Sequence, residues 1–363
     1  MTDRQGLDRR NFLLRAMALG ATRGAAPLAL NLAAIGAAAA QSAPPAYKAL
    51  ICVFLYGGND PYNTLVPYDP SSYRAYAAAR GDIALQRDAL RATVLRGKAD
   101  TQGGMQFALA PALAPLAPLY ERGEMAALLN VGPLIMPTTK AEYIGARVPL
   151  PPKLFSHNDQ QSVWQSSSPE GSTVGWGGNI GDLALSSNGN SLFTCIAVTG
   201  NAVFLSGDSA LQYQVSTNGA VAINGVKNNV YGSSAVRGAL SALIQQPSSH
   251  LLENEYTRVT SRAVTSESQI TSALAGSTLS TTFPANNSLA DQLKMVARLI
   301  GARNALGSKR QVFMVSLGGF DLHDNLIAQQ PGLMQRLSDA LTAFYNATAE
   351  LGVADKVTTF TAS

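Results

Sequence analysis

The chain has 363 residues, 46% of them hydrophobic and only 14% charged, with a formal net charge of +4 and two cysteines. That balance excludes a disordered polyelectrolyte and a disulfide scaffold, and it leaves a globular chain with a sizeable core. The positive charge is local: up to Ala40, Arg4, Arg9, Arg10, Arg15 and Arg23 oppose only Asp3 and Asp8, so the remainder is near neutral and implies neither nucleic acid nor an anionic membrane surface as partner.

Asp8-Arg9-Arg10-Asn11-Phe12-Leu13 closely resembles the twin-arginine export consensus, and a weakly apolar Ala/Gly/Leu stretch follows from Ala16 to Ala40. It ends in Ala38-Ala39-Ala40 before Gln41, the small-x-small form of a signal peptidase site. An uncleaved anchor is the competing reading, but Pro27, Asn31 and the many small residues make a poor span. Residues 1–40 therefore read as a signal peptide. The expectation is passage through the twin-arginine translocase, a periplasmic or secreted destination, and no stable membrane span after cleavage.

Lys48 to Tyr56 (KALICVFLY) is a continuous apolar run rich in β-formers, suited to a central parallel strand buried on both faces. It stops at Gly57-Gly58-Asn59-Asp60, where two glycines allow a sharp turn at the strand's carboxyl end, the usual ligand side of an open α/β sheet. Helices and loops follow, including the proline-interrupted segment PALAPLAPLYERG from Pro111, and Met125 to Val131 (MAALLNV) predicts a second inner strand.

Residues 166–285 are crowded with Ser, Asn, Gly and Thr and carry short β-like runs such as Leu192 to Val198, with turn signals at Asn218-Gly219 and Asn224-Gly225. They read as an inserted, partly β cap between two parts of an α/β core, 41–165 and 286–363. Ser288 predicts a helix start with Asp291 three residues on, and Leu289, Leu293, Val296, Leu299 and Ile300 form its apolar stripe. Gln311 to Leu317 (QVFMVSL) is a second long strand, ending in Gly318-Gly319-Phe320-Asp321-Leu322-His323. A further helix carries Leu333, Leu337, Leu341, Phe344, Thr348 and Leu351 on one face, and Lys356 to Thr361 begins another strand. The fold class is α/β, a doubly wound and mostly parallel sheet. Cys52 and Cys195 fall in apolar strands and read as buried thiols, with a single bridge left open.

Strand, paired glycines and acid occur twice. Asp60 and Asp321 would supply hard oxygens at strand ends and His323 a borderline nitrogen, a set that favours zinc or manganese over magnesium. A helix-capping aspartate and a core-edge histidine explain the same residues without a metal.

GGNDPYNTLVP from Gly57, LFSHNDQQSVWQ from Leu154, GWGG from Gly175 and QVFMVSLGGFDLH from Gln311 together resemble the bacterial family called domain of unknown function 1501, over nearly the whole chain after the signal. That family is similar to the alkaline phosphatase and sulfatase superfamily, whose enzymes bind two metals at the strand ends of a doubly wound sheet and cleave phosphate or sulfate esters. The resemblance implies metal ligands at Asp60 and Asp321, with His323 the nearest imidazole, spaced more closely than in many superfamily enzymes. It also implies a serine or threonine nucleophile between these motifs. Ser156, with His157 beside it, is the catalytic candidate, and Ser156 also reads as a helix cap closed by Asp159. The two roles are compatible, since a helix amino terminus stabilises an anionic transition state.

Family members continue from a strand like VTTFTAS into an acidic-Phe-Gly-Arg motif and an Asp-His-Gly motif, neither of which precedes Ser363. The sequence thus reads as a fragment, expected to be inactive alone. Two functions stand: an exported metal-dependent phosphate or sulfate esterase in complete form, or a noncatalytic secreted protein that binds a surface polysaccharide or a protein partner.

Overall fold

Strand periodicity organises the two faces of the central sheet. In β1 (Lys48–Leu55), Ile51, Val53 and Leu55 point to one face and Cys52 and Phe54 to the other; in β7 (Arg310–Leu317), Phe313, Val315 and Leu317 share the first face, Val312 and Met314 the second. Both faces are buried, which is why these runs show no polar alternation. The computed structural model describes residues 46–96 and 104–363. The signal-peptide reading therefore lies outside the described residues.

The remaining strands are β2 (Leu65–Pro67), β3 (Phe107–Leu109), β4 (Cys195–Ala197), β5 (Gln212–Ser216), β6 (Gly219–Ala220) and β8 (Val357–Ala362). A six-stranded sheet runs β6-β5-β4-β7-β1-β8, parallel except for β5–β6, while β2 and β3 form a separate antiparallel pair. Helices of eight residues or more are α1 (Pro70–Arg80), α2 (His157–Ser166), α3 (Trp176–Ala184), α4 (Ser234–Ile244), α5 (Leu251–Ala275), α6 (Ser288–Gly301) and α7 (Leu326–Glu350).

Helices cover both sides, as a doubly wound α/β fold requires. On the first face α6 presents Leu289, Leu293, Val296 and Ile300, all fully buried, beside Leu337 and Phe344 of α7. Each such side chain contributes about 1.5–3 kcal/mol by leaving water. On the second face Trp164 of α2 and Trp176 of α3 meet Phe204, Phe360 and Phe54 at ring separations of 4.6–6.3 Å. The GWGG segment has a packing reason: a Cβ on Gly175 would stand 2.1 Å from Val203 O, and one on Gly178 2.1 Å from Ser206 O.

Three expectations change. Met125 to Val131 is no strand: the segment is unpaired, with Leu128 84% and Val131 74% exposed. A strand needs a neighbour, and this segment pairs with neither terminal strand of the sheet, β8 or β6. The α6 cap is Asn287, whose side chain accepts from the Ala290 N–H, one residue before Ser288. The region read as a cap supplies β4, β5 and β6 to the main sheet, with α4 and α5 outside it. Cys52 and Cys195 are free and buried; β7 stands between their strands, so with neighbours about 4.8 Å apart they are too distant to bridge.

Candidate metal and anion site

The site grows from the register of β1 and β7. Leu55 pairs with Leu317, so both glycine pairs leave the sheet side by side at its carboxyl edge. The two loops are stitched by Tyr56 N–H to Leu317 O at 2.9 Å and Phe320 N–H to Tyr56 O at 3.1 Å. Gly57 adopts φ +113, and a Cβ there would stand 2.3 Å from the Asp321 nitrogen. Only glycine lets the first loop lie against the second.

A cavity of about 260 Å³ opens where the loops meet, lined among others by Asp60, Arg80, Phe320, Asp321 and His323. Asp321 is half-exposed: Oδ1 lies 2.8 Å from His323 Nε2 and Oδ2 lies 3.5 Å from His157 Nε2. One ligand atom from each of His157, Asp321 and His323 falls within 4.8 Å of the others. Donors on a tetrahedral ion, bonded at about 2.1 Å, stand about 3.4 Å apart, so small side-chain rotations close this set around one cation.

His157 arrives by helix packing. It is the first residue of α2, seven positions before Trp164, and two turns place both on one helix face. Trp164 docks on the sheet against Phe54 at 5.0 Å, and His157 consequently overhangs the carboxyl edge about 10 Å further along the axis.

Asp60 shares the cavity but not the three-donor group. Its Oδ1 accepts the Tyr62 N–H at 3.0 Å, capping the turn that follows, and its Oδ2 is bound by Arg80, the last residue of α1. The buried Gln330 amide donates to Asn59 Oδ1 and to Asp60 O, each at 3.1 Å, and fixes this loop from below.

Ser156 caps α2. Its Oγ accepts the Asp159 N–H at 3.4 Å and donates to Asp159 Oδ2 at 2.7 Å. Lys153, at φ +49, reaches the same carboxylate at 3.4 Å. The Ser156 hydroxyl foremost, with Lys153 adding to it, holds the Asp159 carboxyl below the usual carboxylate value.

The sequence profile described as "Protein of unknown function (DUF1501)" matches residues 47–363. The chain belongs to the DUF1501 family. No curated protein and no solved structure matches it. The match contains every residue of the site, and its motifs now have places: GGND and GGFDLH form the two abutting loops, FSHND caps α2, and GWGG packs α3. Sequence reasoning missed Arg80 and Gln330, which sit in helices with no motif of their own. It placed His157 with the nucleophile, whereas the geometry groups it with Asp321 and His323. Among the described residues no helix is long and apolar enough to cross a membrane.

Proposed function

We propose that this DUF1501 chain is an exported protein of the alkaline phosphatase and sulfatase type that holds a divalent cation at a site suited to phosphate or sulfate esters. The observation that carries the reading is the convergence of His157, Asp321 and His323, from a helix and a strand end far apart in sequence, on one point at the carboxyl edge of a parallel sheet. Two imidazoles and a carboxylate fit zinc or manganese better than magnesium, and the exposed setting leaves coordination positions free. The three residues would hold the ion, and its chemistry there would be Lewis-acid polarisation of an ester oxygen.

The chain's own groups support the rest. Arg80 lines the same cavity and gives a tetrahedral anion a planar, permanently charged donor. Ser156, next to His157 and hydrogen-bonded to Asp159, remains the nucleophile candidate, and it caps the amino terminus of α2, whose positive dipole end would favour developing negative charge. Export through the twin-arginine translocase belongs to the same proposal and rests on Arg9-Arg10 and Ala38-Ala39-Ala40.

The test is a titration with Zn²⁺ and Mn²⁺ and an assay with aryl phosphate and aryl sulfate, on this chain and on one extended with a family-type Asp-His-Gly segment. One equivalent of metal, lost on His323→Ala, is the expected result. No binding, or binding unchanged by His323→Ala, refutes the assignment.

A second reading has its own observation. The larger cavity, about 450 Å³, lies at the opposite edge of the sheet, where Asn190, Ser209, Ser261, Arg262, Thr265 and Gln269 present hydroxyl, amide and guanidinium groups. Such a lining suits the hydroxyls of a saccharide, so a noncatalytic secreted protein binding a surface polysaccharide is the alternative. Saturable polysaccharide binding with neither metal nor turnover would favour it.

A further inference from the structure

Asp60 and Asp321 follow equivalent strand ends in one cavity, yet only Asp321 stands with the imidazoles. The difference is Arg80. Its guanidinium takes Asp60 Oδ2, and the pair is largely shielded from water, with 20% and 13% of the two side chains exposed. A carboxylate so placed is costly without a partner, which makes the ion pair the resting state of the metal-free chain. Arg80 nevertheless has capacity to spare, because its Nε has no acceptor in the structure.

We propose, resting on the metal reading above, that Arg80 masks Asp60 as a reserve ligand for the cation, and that the sulfate or phosphate group of an ester releases it by drawing the guanidinium to itself. Charge makes the exchange favourable. Asp321 alone balances half of a divalent ion. Adding Asp60 completes the neutralisation, but a freed Arg80 would leave a positive charge in the same cavity unless an oxyanion arrived with it. Cation and oxyanion therefore bind cooperatively, and by linkage each tightens the other by the same factor.

The experiment titrates the purified full chain with Mn²⁺, following free ion by electron paramagnetic resonance, with and without sodium sulfate at constant ionic strength. Sulfate should tighten Mn²⁺ binding roughly tenfold, the lower end of what a supporting residue at a metal centre changes. Arg80→Gln should give a similar gain without sulfate and abolish the sulfate effect, and Arg80→Gln combined with Asp60→Asn should lose the gain. Arg80→Met, which keeps the aliphatic stem, serves if Arg80→Gln does not fold. Wild-type Mn²⁺ binding indifferent to sulfate, or weaker binding by the Arg80 variants, overturns the masking while leaving the metal site intact. Absence of Mn²⁺ binding by the wild-type chain removes both.

Discussion

Gly57→Ala tests whether the abutment of the two glycine loops builds the site. The added Cβ would lie 2.3 Å from Asp321 N and 2.9 Å from Phe320 C, both backbone atoms that cannot swing aside as a side chain would. Relief to an ordinary contact needs a shift of about 1 Å, and repacking of this kind costs about 1–3 kcal/mol. The φ of +113 adds strain of about 1–3 kcal/mol for any residue with a Cβ. Gly58→Ala separates the two terms: at φ +84 it carries the strain, but its Cβ would meet nothing within 4 Å. Urea unfolding should thus show Gly57→Ala less stable than Gly58→Ala by about 1–3 kcal/mol. Because the displaced group is Asp321, Mn²⁺ affinity should also fall by roughly 10–100-fold in Gly57→Ala alone. Equal stability of the two variants, or an undiminished Mn²⁺ affinity in Gly57→Ala, would refute the reasoning.

Replacing Arg9 and Arg10 by lysine should leave full-length precursor in the cytoplasm, checked by fractionation; unchanged export of the double variant rules out the twin-arginine route. Burial pushes the Cys195 thiol up to about 12 and the Cys52 thiol further still, so neither should react with a thiol reagent at pH 8 in the native protein, while both should react in denaturant. The Ser72 N–H foremost, then the Ser71 hydroxyl, holds the Asp69 carboxyl at about 2, below its ordinary value of 3.8. A depressed pKa stabilises the fold above the unfolded value, so this contribution is complete above about pH 4 and fades as pH falls toward 2. Asp69→Asn should flatten the acid limb of the stability curve in that window; an unchanged limb in acid titration followed by circular dichroism would exclude the effect.

Those parts of the fold that depend on local pattern were readable from the sequence. Lys48–Leu55 and Arg310–Leu317 announce buried parallel strands because both faces must be apolar, and the glycine pairs after them announce turns because no other residue tolerates Gly57's backbone. Met125 to Val131 carries the same apolar signal and is not a strand, because an apolar run becomes a strand only where the rest of the fold brings a partner strand to it, and here none pairs with it. Asn287 displaces Ser288 as cap since either side chain satisfies the rule and only the helix axis selects between them.

The site divides along the same line. Asp60 and Asp321 look equivalent in sequence, each an acid after strand and glycines, and beyond His323, which follows Asp321 in its own motif, the structure makes them different through partners brought by helix packing. His157 reaches Asp321 because Trp164, two turns on, anchors α2 to the sheet; Arg80 reaches Asp60 because α1 runs eleven residues from Pro70 and ends over the loop. Local sequence gives Asp321 the imidazole of His323, while helix length and docking decide that His157 joins it and that Arg80 goes to Asp60. If Arg80 masks Asp60 as proposed, a chain with the same two motifs and a shorter α1 presents both acids to a cation. Shortening α1 by one turn should therefore act like Arg80→Gln in the Mn²⁺ titration.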